Sequence, residues 1–305
     1  MLTPEARSAL SDLLAERVRF DVPLARHTSL RVGGPADALA TPADRGELGQ
    51  LLALCQRLQL PSFALGAGFN TLVRDGGLPG VVISLRRFRG LVLEGTHCLR
   101  AEAGVSHSQI TNFCAQRGLA GLEFGAGIPG TVGGWIAMNA GTREREVRDV
   151  VRAVEILRPG AAATEEIPRA NLDFHYRALC GLPPGTVIVA AIFQAEIATC
   201  EAVKKEIERQ LAQRANTQPL DRPSCGSVFK NPPGNFAGRL IESAGLKGER
   251  VGDAEISTLH ANFIINRGHA RARDVWELIE RARSQVAAQC GTQLELEVHV
   301  VGEET

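Results

Sequence analysis

The chain has 305 residues, which is enough for two or three domains with separate cores. Lysine plus arginine and aspartate plus glutamate number 34 each, and the resulting net charge of zero excludes the positive excess that general nucleic-acid binding requires. Seven cysteines without a C-x-x-C pair indicate reduced thiols. Because the sequence shows no secretory signal and no apolar run as long as a membrane span, we expect a cytoplasmic protein with no membrane or nucleic-acid partner.

The first 85 residues have the pattern of a small αβ unit. An amphipathic helix is predicted to place on one side Leu10, Leu13, Leu14 and Val18. After a strand at 36–40, a second helix is predicted with Thr41 as its N-cap and Pro42 at its first position. The strands "SFALG" and "GVVISL" complete the unit.

The middle of the chain is rich in predicted strands. Strands are expected at 91–94 and 99–103, followed by a helix from the N-cap Ser106 to the terminator Gly118. The segments "VVRAVEILRP" and "GTVIVAAIFQAEI" also read as strands.

From about residue 200 the pattern changes to a charged connecting helix. A helix near 235–244, a long helix around 272–289 and a last strand "QLELEVHVV" follow. The sequence therefore predicts an α+β protein with three segments, 1–85, 86–199 and 200–305.

Two glycine-rich segments are candidates for a binding site. "GAGIPGTVGGWIAMNAG" (125–141) has six glycines and no charged residue, and "GAGFN" (66–70) follows a strand. Glycine lets the backbone adopt positive φ and approach its neighbours closely, so each segment is either a tight buried loop or a loop whose amides contact a ligand. No Walker A lysine follows, and "GAGFN" lacks the third glycine and the helix of a Rossmann site. Two such loops could still clamp a pyrophosphate with amide dipoles.

The segment "DFHYR" contains Tyr176, the only tyrosine, followed by Arg177. If the segment is a strand, Tyr176 shares a face with Phe174, and Arg177 shares the other face with His175. Arg177 is then either an edge-strand arginine in a surface ion pair or a guanidinium fork for a carboxylate or phosphate.

Single polar residues near the C-terminus carry weaker signals. Ser227 in "CGSVFKNP" lacks the G-x-S-x-G setting of a hydrolase and alone would be a turn residue, and Cys225 is interpreted as structural. Glu297 lies with Glu295 and His299 on the polar face of the last strand, which is either solvated or faces a cleft where a carboxylate could handle a proton. The histidines and cysteines show no metal-ligand spacing, so no metal site is predicted.

The order of these segments is more specific than any one of them. The chain contains, in this order, "HTSLRVGGPAD", "GAGFNTLV", "GAGIPGTVGGWIAMNAG", "DFHYR", "GSVFKNP", "IESAGLKG", "HANFIIN" and "LELEV". Over about residues 20–302 it therefore resembles the UDP-N-acetylenolpyruvoylglucosamine reductases, the MurB family. The resemblance implies a two-part FAD-binding fold of the vanillyl-alcohol-oxidase (PCMH) type in 1–85 and 86–199, and a C-terminal α+β substrate domain in 200–305.

The resemblance also implies that both glycine-rich segments contact non-covalently bound FAD. The implied contact residues are Gly66, Ala67, Gly68, Phe69, Asn70, Thr71, Gly127, Ile128, Pro129, Gly130, Thr131 and Gly133. Phe69 stands where many members have serine, so one phosphate hydrogen bond would be lost or made by Thr71. Trp135 stands where a small residue is commoner.

The implied reaction is a reduction with NADPH as the hydride donor. Hydride would pass through FAD to the terminal methylene carbon of the enolpyruvyl ether of UDP-N-acetylglucosamine, giving UDP-N-acetylmuramate for peptidoglycan synthesis. Arg177, assisted by Glu297, would engage the substrate carboxylate, and Ser227 would protonate the adjacent carbon. Lys230 and Asn231 would contact the substrate.

The chain after Arg177 passes within a few residues to the next predicted strand. It therefore has no room for the tyrosine-bearing lid of one subclass, and it resembles the lidless subclass.

Two other functions stay open at this point. An alcohol or sugar oxidase on the same FAD scaffold would reoxidise its flavin with oxygen and would not need Arg177, Ser227 and Glu297 together. A flavin-free scaffold or nucleotide-sugar-binding protein would need none of the three, and the intact set argues against it.

Overall fold

The computed structural model describes residues 1–304, which form seven α-helices and nineteen β-strands. The helices are α1 (Pro4–Leu14), α2 (Arg45–Arg57), α3 (His107–Arg117), α4 (Val132–Ala137), α5 (Cys200–Thr217), α6 (Ala237–Ser243) and α7 (Ala272–Cys290). The strands are β1 (Val18–Pro23), β2 (Pro35–Ala40), β3 (Ser62–Leu65), β4 (Thr71–Val73), β5 (Leu78–Ser84), β6 (Leu91–Glu94), β7 (Cys98–Glu102), β8 (Leu119–Ala120), β9 (Val151–Leu157), β10 (Glu165–Pro168), β11 (Asp173–His175), β12 (Ala178–Cys180), β13 (Val187–Gln194), β14 (Glu196–Ile197), β15 (Ser224–Ser227), β16 (Arg250–Val251), β17 (Ala254–Ile256), β18 (Phe263–Asn266) and β19 (His299–Val301). Among residues 1–304, no helix combines the length and apolar character needed to cross a bilayer.

The chain folds into two compact units that alternate along the sequence. Unit 1 consists of Met1–Phe20, Ala38–Ala67 and Gly80–Arg214. Unit 2 consists of Asp21–Asp37, Gly68–Pro79 and the chain from Ala215 onward. The division into the segments 1–85, 86–199 and 200–305 stays a prediction.

Unit 1 contains two sheets, each with its own hydrophobic core. The five-stranded sheet is antiparallel with the order β10-β9-β13-β7-β6, and α3 and α4 pack on it. The four-stranded sheet has the order β1-β2-β5-β3, with β3 parallel to β5, and α1 and α2 supply the second core. Burial of leucine, isoleucine and valine side chains in these cores stabilises the unit at about 25 cal/mol for each Å² removed from water.

Unit 2 is an antiparallel sheet, β15-β18-β17-β16, with α6 and α7 packed against it. The apolar residues of α7 recur at the spacing of one helix face, and all are buried: Val275, Leu278, Ile279, Ala282 and Val286. The carboxylate of Asp75 accepts hydrogen bonds of 2.9 Å from the amides of Ala272 and Arg273, which stabilises the first turn of this helix. In the same unit β19 pairs in parallel with β4.

The predicted helices and strands exist, but three details were wrong. The first helix ends at Leu14, so Val18 lies in β1 instead of on the helix face. The second helix is capped by Asp44, whose Oδ1 accepts from the amide of Glu47 at 2.9 Å, and not by Thr41 with Pro42 at its first position. The last strand is regular only over His299–Val301.

The helix predicted from Ser106 to Gly118 is confirmed. Ser106 and Gln109 form a reciprocal capping box, and Gly118 ends the helix in the left-handed conformation at φ 63°.

Glu155 in β9 is the centre of a charged network on the five-stranded sheet. Its side chain, 10% exposed, accepts hydrogen bonds from Nε of Arg100 and, at 2.8 Å, from Nη2 of Arg100, and forms a 2.8 Å ion pair with Arg45. Burial disfavours the charged carboxylate, but the hydrogen bonds from Arg100 and the charge of Arg45 outweigh this effect. The pKa of Glu155 therefore lies below its ordinary value of 4.5.

Replacing Glu155 with glutamine should lower the free energy of unfolding by about 2–3 kcal/mol near neutral pH, because Arg100 loses its charged partner in a largely buried setting. The stabilisation by the carboxylate is present above its unfolded-state pKa, near 4.5, and disappears as the pH falls through the lower folded-state pKa. Wild type should therefore lose stability at acid pH more steeply than the variant. Denaturant unfolding over a range of pH measures both effects.

Glu165→Gln is the matched control, because Glu165 pairs with Arg158 at an exposed position on the neighbouring strand. It should change the free energy of unfolding by less than about 0.5 kcal/mol. Equal losses in the two variants at neutral pH would contradict a structural role for the Glu155 network.

Candidate active site

Unit 1 contains a cavity of about 560 Å³, a volume typical of small-molecule sites. Its wall comes from the end of β3 and the loop after it, the loops before α3, the exposed face of α4, and the segment from β12 to β13. Four glycines line it, Gly66, Gly104, Gly133 and Gly134, and two arginines, Arg86 and Arg89, line it as well.

Parts of the two predicted glycine segments converge at this cavity. Gly66 and Ala67 line it from the first segment, and Thr131 and Gly133 line it from the second. A Cβ at Gly66 would lie 2.8 Å from Oγ1 of Thr131, a distance that real Cβ atoms do not show. A side chain at position 66 would therefore force the Thr131 hydroxyl to move.

The cavity fits a ligand with polar groups that comes close to the backbone. Glycines form the wall where a Cβ would otherwise stand, and Oγ1 of Thr186, another lining residue, is buried without a hydrogen-bond partner among residues 1–304. A buried hydroxyl without a partner is costly, so it points to a ligand atom at this position. These features match what the sequence predicts for FAD.

The second glycine segment uses its glycines in two ways. Gly134 and Ala137 lie on the exposed side of α4 and line the cavity, whereas Trp135 on the other side is buried. A Cβ at Gly125 would collide with the indole of Trp135 and would lie 2.8 Å from Nε2 of His107. One part of this segment therefore packs tightly, as the first interpretation predicts, and another part borders a cavity, while contact of its amides with a ligand stays a prediction.

His107 packs against Trp135 with ring centroids 4.4 Å apart. Burial, with a smaller contribution from the charge of Arg214, lowers the pKa of His107 to about 3, so the imidazole is neutral near neutral pH. Gly127 and Gly130 in the same segment have positive φ values of 77° and 115°, which glycine adopts without strain. Gly127, Ile128, Pro129 and Gly130 are not among the residues that line the cavity.

The rest of the first glycine segment, from Gly68, belongs to unit 2. There Asn70 has φ 54° and joins two parts of the chain, because its amide donates to the carbonyl of Cys225 and its side chain to the carbonyl of Glu297. Phe69 is 38% exposed, and the hydroxyl of Thr71 donates to the Phe69 carbonyl at 3.2 Å.

Ser227 and Asn231 line a second cavity, of about 270 Å³, within unit 2. Asn262 holds the backbone between Ser227 and Asn231 in place. Its side chain accepts a hydrogen bond from the amide of Phe229 at 2.9 Å and donates one to the Phe229 carbonyl at 2.8 Å. Oδ1 of Asn231 accepts a hydrogen bond from the amide of Ala237. The two hydrogens of the Asn231 side-chain amide can therefore be donated to a ligand.

Lys230 and Glu297 are not among the residues that line this second cavity. Lys230 lies 3.7 Å from Glu295 at the surface. The amide of Glu297 donates to the carbonyl of Val228, so Glu297 lies beside the chain one residue after Ser227. Burial raises the pKa of the Cys225 thiol to about 12, which agrees with its structural interpretation.

Arg177 lies in a hairpin turn, so the assignment of Tyr176 and Arg177 to two faces of a strand does not apply. The strands β11 and β12 pair with Phe174 opposite Leu179 and leave Tyr176 and Arg177 as the two-residue turn. Arg177 has φ 59°, a conformation that costs a residue with a side chain about 1–2 kcal/mol. Such strain persists only where surrounding contacts enforce it, and it is common at functional sites.

The contacts that hold Arg177 come from Gly141, at the end of the second glycine segment, and from Glu146, five residues after it. Nη1 of Arg177 lies 3.4 Å from Glu146, and Nη2 donates to the carbonyl of Gly141 at 3.2 Å. Asn139, fully buried, donates to both the Glu146 carboxylate at 3.0 Å and the carbonyl of His175 at 2.9 Å. The hairpin turn is thereby fixed to the segment that borders the cavity.

Sequence reasoning missed Asn139 and Glu146, and also Arg214 at the end of α5. A Cβ at Gly127 would lie 2.6 Å from Cδ of Arg214, so this side chain lies against the glycine segment. Burial and the positive charge of Arg177 lower the pKa of Arg214. Arg177 and Arg214 are therefore close enough in unit 1 for their charges to interact. The two residues are 37 positions apart in the chain, so the sequence pattern does not show that they meet.

Comparisons with known proteins identify the family. The sequence model of one protein family, the C-terminal domain of UDP-N-acetylenolpyruvoylglucosamine reductase, matches residues 218–301. The sequence model of a second family, the FAD binding domain, matches residues 36–163. The UDP-N-acetylenolpyruvoylglucosamine reductase of Geotalea uraniireducens is 42% identical over 99% of each chain, and that of Geobacter sulfurreducens is 45% identical over 97% of this chain and all of the relative. The crystal structure of the reductase from Thermus caldophilus is 40% identical with a TM-score of 0.80, covering 93% of this chain and 99% of that one.

The chain belongs to the UDP-N-acetylenolpyruvoylglucosamine reductase family. The predicted family and the fold class, an α+β protein with an FAD-binding domain and a C-terminal domain of its own, are confirmed. The FAD binding domain match contains both glycine segments, and the C-terminal match contains Ser227 and Glu297. Arg177 lies between the two matched regions.

Gly134→Ala tests whether FAD occupies the cavity of unit 1. A Cβ at Gly134 would have no protein atom within 4 Å, and Gly134 lines the cavity, so the methyl group should collide with the cofactor alone. We expect FAD affinity to fall about tenfold or more, while the apoprotein keeps its stability or gains up to about 1 kcal/mol of helix propensity. Flavin titration and unfolding of the apoprotein measure the two quantities.

Gly49→Ala is the matched control, because Gly49 is also helical, in α2, and does not line this cavity. It should leave FAD affinity unchanged. If Gly134→Ala bound FAD as tightly as wild type does, the cavity would not be the FAD site.

Proposed function

We propose that this protein reduces UDP-N-acetylenolpyruvoylglucosamine to UDP-N-acetylmuramate, with NADPH as the hydride donor, in the synthesis of peptidoglycan precursors. The observation that carries the proposal is the match over nearly the whole chain to reductases of that name. The glycine-containing cavity of unit 1 supports the same activity, as does Arg177, because its hairpin contributes Leu179 to the cavity wall.

FAD would be held mainly by backbone groups. The proposed contacts are Gly66, Ala67, Gly68, Phe69, Asn70, Thr71, Gly127, Ile128, Pro129, Gly130, Thr131 and Gly133. When bound, FAD would supply the hydride chemistry between NADPH and the substrate. Amide dipoles suit the cofactor's pyrophosphate without a lysine, because they place positive potential at short range. The hydroxyl of Thr71 donates to the Phe69 carbonyl at 3.2 Å, so it would have to exchange this hydrogen bond for one to the phosphate.

Arg177 would bind the carboxylate of the substrate. Hydride addition to an enol ether is intrinsically poor because the double bond is electron-rich, so the site must stabilise the negative charge that develops on the carboxylate side. A well-placed donor contributes about 3–4 kcal/mol to such stabilisation. Glu146 and Gly141 restrict the guanidinium before substrate arrives, which lowers the entropy lost on binding. Glu297 would assist at the same carboxylate.

Arg214 would contact the anionic diphosphate of the substrate. Within residues 1–304 it has no ion pair with a carboxylate, although it is largely buried and lies near Arg177. Its depressed pKa reflects a positive charge that an anion would compensate. This assignment offers a diphosphate contact in a chain without a lid tyrosine.

Ser227 would complete the reaction by donating a proton to the carbon next to the carboxylate. A serine hydroxyl is a weak acid, but the enolate carbon is a strong base, so transfer is feasible when the two are close. Asn231 lines the same cavity and would contact the substrate, and Lys230, the residue before it, would be a further contact.

Ser227→Ala should separate the two half-reactions. Reduction of the flavin by NADPH should stay close to the wild-type rate, whereas reoxidation by the enolpyruvyl nucleotide should slow by about 10²–10⁴-fold, because only the second step needs the proton. Anaerobic stopped-flow absorbance of the flavin measures each step separately.

Ser224→Ala is a control in the same strand, since Ser224 does not line the cavity that contains Ser227. Both half-reactions should be unchanged in it. Equal slowing of the two half-reactions in Ser227→Ala would rule out the role of Ser227 as proton donor.

A further inference from the structure

The hairpin that carries Arg177 presents a second chemical feature on its outer face. The strands β11 and β12 pair Asp173 with Cys180, and His175 follows Asp173 by two residues. Alternation along a strand puts these three side chains on one face. The other face carries Phe174, which is buried in the core of unit 1, so the face with Asp173, His175 and Cys180 is exposed.

These three residues offer an imidazole nitrogen, a carboxylate oxygen and a thiol sulfur, all within 4.8 Å of one another. Nε2 of His175 already lies 3.0 Å from Oδ1 of Asp173. In a tetrahedral zinc site, ligand atoms are about 3.3–3.6 Å apart, given metal distances of about 2.0–2.3 Å. Because all three side chains are exposed, small rotations of χ angles can reach that geometry at little cost.

We propose that Asp173, His175 and Cys180 form a binding site for a borderline-soft divalent cation of the zinc class. A thiolate and an imidazole together favour Zn²⁺ over Mg²⁺ or Ca²⁺, which prefer oxygen ligands. The three protein ligands leave the fourth tetrahedral position to water. On binding, the Cys180 thiol releases its proton to solvent, and a ring nitrogen of neutral His175 ligates the metal.

The register of the hairpin creates this site, and spacing along the chain does not disclose it. Asp173 and His175 are two residues apart on β11, whereas Cys180 lies opposite Asp173 on β12, after the turn that carries Arg177. A bound metal would join the two strands at the base of that turn. The proposal depends on these ligands and not on the reductase activity.

The test uses the FAD-bound protein, freed of metal and kept reduced with a non-chelating phosphine. Co²⁺ serves as the probe, because tetrahedral cobalt absorbs in the red, where oxidised flavin does not, and a bound thiolate adds a charge-transfer band in the near ultraviolet. We expect one equivalent of Co²⁺ to develop both signals and Zn²⁺ to displace it. Cys180→Ser should abolish the thiolate band, and both it and His175→Ala should weaken binding by about tenfold or more.

Cys290→Ser is the matched control, since Cys290 is also an exposed free cysteine but lies at the end of α7. It should keep wild-type affinity and both signals. Flavin absorbance of each variant reports that the protein is folded. Equal affinity in wild type and Cys180→Ser, or binding without the thiolate band, would overturn the proposal.

Discussion

Close approach between backbone segments is the constraint on which the site in unit 1 depends. At Gly104, which lines the cavity, a Cβ would collide with the carbonyl oxygen of Leu85, and at Gly66 it would lie 2.8 Å from the Thr131 hydroxyl. Arg86 and Arg89 also line the cavity, so guanidinium groups as well as amide dipoles can compensate the charge of a bound cofactor.

The same segment also positions the arginine that we assign to the substrate. Asn139 follows α4 and binds both Glu146 and the backbone before the hairpin turn, and Glu146 in turn contacts Arg177. A buried network of this kind rigidifies when every member has its partner. The hairpin turn that carries Arg177 is therefore hydrogen-bonded to the glycine segment that borders the cavity of unit 1.

The sequence predicts those features that depend on short-range patterns. Local preferences account for the N-cap at Ser106, for the end of the helix at Gly118 and for the two glycine segments. The sequence left the position of Arg177 open, because alternating apolar and polar residues cannot show that Tyr176 and Arg177 form the turn of a hairpin. It also missed Asn139, Glu146 and Arg214, whose partners lie far along the chain, and polar residues of this kind give no periodic signal.

Transfer of hydride from NADPH to the enolpyruvyl nucleotide is the central claim, and the visible spectrum of the oxygen-free protein tests it most directly. The yellow flavin absorbance should bleach on addition of NADPH and return when UDP-N-acetylenolpyruvoylglucosamine is added. Bleached flavin that regains its colour only when oxygen is admitted, and not with the nucleotide, would contradict the reductase activity and indicate an oxidase. A purified protein that is colourless and takes up no FAD would contradict both.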